Sequence, residues 1–155
     1  MMGVTTSCFD DDFTSSPNDI LSFSVDTLKF DTVFTEQGTA TKIFKVYNHC
    51  DKNILVTSII LADAENSGFF INVDGSKGPD LYNIEVPAQD SIFVFVELTP
   101  QKNSQNLPFL IKDSIVFLTN GVKQDVKLQA YGQDVEILQS KDKFIINFSY
   151  FYMPA

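Results

Sequence analysis

The side chains most capable of chemistry in this chain stand together at His49-Cys50-Asp51. A thiol, an imidazole and a carboxylate are the parts of a cysteine nucleophile with its base and orienting group. Here they are consecutive, inside the polar stretch Asn48 to Asn53, and neighbours on a turn do not automatically face one another. Asn48, Asp51 and Asn53 are turn formers, so His49 and Cys50 are expected to be exposed passengers rather than a catalytic pair. Asp74 and Asp80, with glycines between them, could suggest a calcium loop. An EF-hand needs alternating oxygen ligands and a terminal Glu, and this spacing offers neither. Asp26 and Asp31 could form an acid/base pair on an edge strand, but carboxylates isolated on strands are usually surface residues. No catalytic residue, metal site or cofactor is expected, and the chain reads as a non-enzyme.

Composition narrows the remaining classes. The 155 residues suit one domain with one core. Hydrophobic residues make up 44% and include 15 Phe, ample material for that core. The 11 cations are all lysine and face 20 carboxylates, a net charge of -9. A polyanion is repelled by such a chain, and the arginine fork that grips phosphate is missing. Nucleic acid is therefore excluded as a partner. Trp is absent, which leaves Tyr47, Tyr82 and Tyr131 as the candidates for stacking on a sugar. Cys8 and Cys50 are too few and too far apart for a disulfide framework or a zinc cluster. No run of about 18 apolar residues is present to span a membrane as a helix.

The elements that would carry these residues are strands. Ile20 to Phe34 alternates apolar and polar residues with a break near Asp26. Lys42 to Asn48 and Ile54 to Leu61 flank the His49 loop and are expected to form an antiparallel hairpin. Glu36 to Thr39 is a turn, Ala62 to Gly68 a loop, and Phe69 to Val73 a short strand. Ser91 to Thr99 is apolar on both rows, Ile92, Val94, Val96 and Leu98 against Phe93 and Phe95, so a central strand covered on both faces is expected. Asn120-Gly121 is a two-residue hairpin turn. On its return strand Val126, Leu128 and Ala130 point to the core. About seven to nine strands with regular turns and no convincing helix make an all-β antiparallel sandwich.

The order of these elements carries a resemblance. A strand ending at Asn48, the Leu55 and Ile59 strand, and the strand led by Phe69 come first. Then follow the Ile84 to Ser91 turn, Thr99-Pro100, Thr119-Asn120 and the closing Leu128 to Gly132. Together they look like the hydin-like, major-sperm-protein-like immunoglobulin superfamily. The match is closer to an N-terminal immunoglobulin-like domain of Gram-negative surface lipoproteins, often followed by a parallel β-helix. The resemblance covers about Cys8 to Asp134 and implies an immunoglobulin-like sandwich over 20–134 after a lipoprotein-like N-terminus and linker over 1–19; the tail over 135–155 falls outside it. In that tail Phe144, Ile146, Phe148, Tyr150 and Tyr152 would share one face of a strand. Such a strand would either be added to the sandwich or begin a further domain.

Cys8 after small residues, followed by Asp10, Asp11 and Asp12, is similar to the mature start of a bacterial lipoprotein. The resemblance makes Cys8 the lipid anchor and the three aspartates an export signal. It departs from the pattern at Thr5, where a lipobox carries Leu or Val, and no charged or apolar stretch precedes Cys8. A plain acidic N-terminus with an incidental cysteine is the alternative. The expected function is a spacer, assembly or adhesion module on the outer membrane at the cell surface, with the periplasm second. Its partners would be membrane lipid through Cys8 and a protein or glycan. A carbohydrate-binding accessory domain is the other functional expectation. Binding would use the loops Asn48 to Asn53, Asp74 to Asp80 and Gln101 to Pro108, or an open edge strand.

Overall fold

A computed structural model describes residues 12–35, 40–101, 109–133, 137–140 and 143–146. Cys8, Asp10 and Asp11, the turn at 36–39, most of the loop at 101–108, and Phe148, Tyr150 and Tyr152 lie outside the described residues.

Two five-stranded sheets pack face to face. One has the order β1 (Ser22–Phe23), β3 (Ala40–Asn48), β8 (Asp90–Leu98), β5 (Phe69–Val73), β6 (Ser76–Lys77). The other runs β2 (Thr27–Phe34), β10 (Val122–Gln133), β9 (Phe109–Thr119), β4 (Ile54–Leu61), β7 (Asp80–Val86). Eight of the ten strands have five residues or more and two are two-residue pieces, so the expected sandwich is present. Among the described strands all pairings are antiparallel except β10 with β2, and the isolated Phe13–Asn53 bridge is parallel as well. The break at Asp26 lets the chain leave β1 on the first sheet and enter β2 on the second, so one stretch edges both sheets. β11 (Ile137–Ser140) and β12 (Lys143–Ile146) pair only with each other.

Alternation of apolar residues along the strands makes the core. Phe44 and Val46, Ile92 to Leu98 at every second position, and Val126, Leu128 and Ala130 are all buried, as the two-residue period requires. Rings bridge the sheets: Phe23 lies 4.8 Å from Phe117, and Phe30 5.6 Å from Phe69, centroid to centroid. Asn120 and Gly121 both take positive φ (51° and 80°) in the β9–β10 turn, the mirror-image turn that matches strand twist. The loop after β4 contains one helical turn, α1 (Ala64–Ser67). The buried Asp113 carboxylate holds it, accepting from Ser67 Oγ at 2.6 Å and from the Asp63 N–H at 2.8 Å.

Two expectations are corrected. β3 and β4 do not pair: they belong to opposite sheets, and the His49 to Asn53 connection crosses between them. Alternation says which face of a strand is apolar but not which strand lies beside it. The buried Asn48 turns this corner, its Nδ2 donating to the carbonyls of Lys52, Val86 and Pro87. β8 is central but covered on one face only by the described residues. Its inner row is buried, while Phe93 is 47% and Phe95 38% exposed. A two-layer sandwich gives each sheet one core face.

Candidate functional site

The two ends of the sandwich differ. The connections His49 to Asn53, Pro87 to Gln89 and Asn120-Gly121 gather at one end, together with the incoming segment from Asp12. Asn53 N–H donates to the Asp12 carbonyl and Thr14 N–H to the Asn53 carbonyl, both at 3.0 Å. Asp12 is exposed, 3.5 Å from Lys52 Nζ. The other end carries α1 and the start of β3.

His49, Cys50 and Asp51 do not converge. The His49 ring stacks on Tyr47 at 5.7 Å. Cys50 N–H donates to Asn48 Oδ1 at 2.8 Å, and Gln89 Nε2 donates to the His49 carbonyl and to Asp51 Oδ1. Burial pushes the Cys50 thiol above its ordinary range, and the charges of Asp19 and Asp51 and a hydrogen bond to Asp19 push the same way. A thiol so held stays protonated at neutral pH, the opposite of an activated nucleophile.

Asp74 turns at φ 49° between β5 and β6, and Asp80 begins β7; both are exposed. Among the described residues no group of three or more His, Cys, Asp and Glu could hold a metal ion. Asp26 and Asp31 are exposed and five residues of near-extended chain apart, roughly 16 Å. The three tyrosines are scattered. Tyr47 lies on the first sheet, while Tyr131 pairs with Leu110 and Tyr82 pairs with Ser58 beside Leu118. Leu110 and Leu118 are eight residues apart on β9, roughly 26 Å, so these rings form no common platform.

What sequence reasoning missed is the outer face of β3–β8–β5. Ile43 is 51% exposed and Phe70 55%, and they flank Phe93 and Phe95. Register places Ile43 opposite Phe95, Phe95 opposite Asn72, and Glu97 opposite Phe70. Lys45 Nζ sits 5.1 Å from the Phe93 ring centroid. A depression of about 260 Å³ lies among Phe70, Asn72, Lys77 and Glu97. Asn72 Oδ1 is shielded there without a hydrogen-bond partner. The doubly apolar rows of Ser91 to Thr99 were the signal: one row fills the core, and the other is presented outward.

No family model matches the sequence, and no curated protein does. Among solved structures, a Porphyromonas gingivalis protein of unknown function aligns at TM-score 0.55 and 13% identity, over 72% of this chain and 46% of that one. The Vibrio cholerae VesB protease aligns at TM-score 0.46 and 13% identity, over 73% of this chain and 31% of that one. A C. elegans MSP family member aligns at TM-score 0.41 and 10% identity, over 74% of this chain and 98% of that one. The chain thus spans less than half the length of the first two. At such identities the likeness is one of fold alone; by its own two-sheet topology this chain is an immunoglobulin-like β-sandwich.

Proposed function

We propose that the chain is a non-enzymatic surface module, anchored by lipid at Cys8 and exported under Asp10, Asp11 and Asp12, that serves in assembly or adhesion. The observation that carries this is polarity of form. The N-terminal segment joins the sandwich at the Asn53 end. By register the apolar side chains of the outer face lie at the levels of Lys45 (Phe93), Ile43 (with Phe95) and Thr41 (Phe70), so the face reaches about 23 Å along β3 from the attachment end. A chain tethered at Cys8 would hold that far end away from the membrane. Four large apolar side chains on one sheet face suit protein contact better than solvent.

The test is labelling of growing cells with a palmitate analogue, comparing the parent with Cys8→Ala in its full reading frame. Label lost on substitution supports the anchor, and an unlabelled parent removes it. Replacing Asp10, Asp11 and Asp12 together by Asn should leave the label and reduce accessibility to external protease. Unchanged surface exposure would dismiss the export signal.

A further inference from the structure

Sandwiches must manage four sheet edges. Three are blunted here. β7 carries Asn83 at φ 56°, and β2 has an irregularity in its register between Gln129 and Tyr131 of β10. β6 covers Asn72 and Val73 of β5, and Gly78 N–H closes on the Ile71 carbonyl at 3.1 Å. The fourth edge is only half covered. β1 pairs with β3 at Val46 and Tyr47 and ends at Phe23, and Ser24 adds the last bonds to β3. There the Lys45 N–H donates to Ser24 Oγ at 2.9 Å and the Lys45 carbonyl accepts from Ser24 N–H at 3.0 Å.

Lys45 therefore turns its main chain outward, and the two-residue period turns the N–H and carbonyl of Ile43 and Thr41 to the same side. No described residue bonds them there. Beside this row stand Ile43 and, one strand in, Phe95. Lys42 and Lys45 flank Ile43, and neither has a carboxylate partner among the described residues; each lies near a phenyl ring instead, Phe30 and Phe93. At an edge that no described residue covers, these two lysines, with Glu97 one strand in opposite Thr41, make the local charge positive in a chain whose net charge is -9, and so set the sign of what fits. A second copy of this edge would bring the same lysines and no carboxylate.

Taking the chain as the protein-binding module proposed above, we infer that the Ala40–Phe44 stretch of β3 receives an extended acidic peptide strand from a partner protein. The added strand takes the free N–H and carbonyl groups of Thr41 and Ile43, places an apolar residue beside Ile43 and sets carboxylates against Lys42 and Lys45.

The experiment follows amide hydrogen exchange by NMR in the full chain. The probe is a short capped peptide of valine and glutamate, ordered so that valine falls opposite Ile43, one glutamate opposite Lys42 and another at the peptide end nearest Lys45. In the free chain the Thr41 and Ile43 amides should exchange faster than those of Lys42 and Phe44, which face β8. Peptide should slow Thr41 and Ile43 selectively, and a copy N-methylated along one edge should not. The double variant Lys42→Glu, Lys45→Glu should weaken binding on the order of tenfold and favour a peptide with lysine in place of glutamate. Amides already protected in the free chain, no protection at saturating peptide, or affinity indifferent to the charge swap would each overturn the inference. A chain that keeps a cell-surface partner while these amides stay open retains the module function and loses this edge.

Discussion

Asn48 on β3 donates its Nδ2 to the Val86 carbonyl on β7 at 3.0 Å, so one buried amide joins strand ends from opposite sheets. The same nitrogen lies 2.8 Å from the Lys52 carbonyl and 3.1 Å from that of Pro87, while Oδ1 takes the Cys50 N–H. Asn48→Ala strands these groups and should cost about 2–4 kcal/mol in urea unfolding. Asn48→Asp keeps the shape but turns a carboxylate toward three carbonyls, and at neutral pH it should cost at least as much. A change under about 1 kcal/mol for both would show that the corner is held otherwise.

Gly68 and Gly121 share φ 80° but differ in surroundings. A Cβ at Gly68 would stand 2.4 Å from the Thr99 carbonyl oxygen, whereas at Gly121 nothing lies within 4 Å. Gly121→Ala should lose only the backbone preference, about 1 kcal/mol. Gly68→Ala must also push back the segment that follows β8, and should cost about 3 kcal/mol or more. Equal losses by thermal unfolding would contradict the close approach.

Cys50 should be slow to alkylate. Its thiol is raised in the folded chain, so folding favours the protonated form. That contribution is complete below the ordinary thiol pKa and is lost as pH climbs through the raised folded value. In a Cys8→Ser background, iodoacetamide at about pH 8 should label the native chain more slowly than the urea-unfolded chain. Stability should sag on the alkaline side. Native labelling as fast as unfolded labelling would refute the assignment.

The core between the sheets and the outer face of the β3–β8–β5 sheet should respond differently to truncation. Phe117 is fully buried against Phe23, so Phe117→Ala should cost about 3–5 kcal/mol. Phe93→Ser and Phe95→Ser on the outer face should each stay within about 1 kcal/mol and lower the binding of a hydrophobic dye. Large losses of stability at both outer positions would mean that this face is covered in the chain as it folds.

The sequence by itself determined the secondary structure and most of the core. Two-residue alternation is local, so Phe44, Val46, Val126, Leu128 and Ala130 could be placed inward without a partner in view. Asn120-Gly121 declared its hairpin because only positive φ closes so short a turn with the right twist. Tertiary structure alone decided which strands are neighbours. The Asn48 corner sends β4 to the other sheet through bonds to Val86 and Pro87, 38 and 39 residues away. It also decided that Phe93 and Phe95 face outward, because an apolar row does not reveal whether a second layer exists to cover it. That no described residue pairs with the outer edge of Thr41 and Ile43 is of the same kind. It follows from where β1 stops, a fact about packing between distant segments that no local pattern encodes.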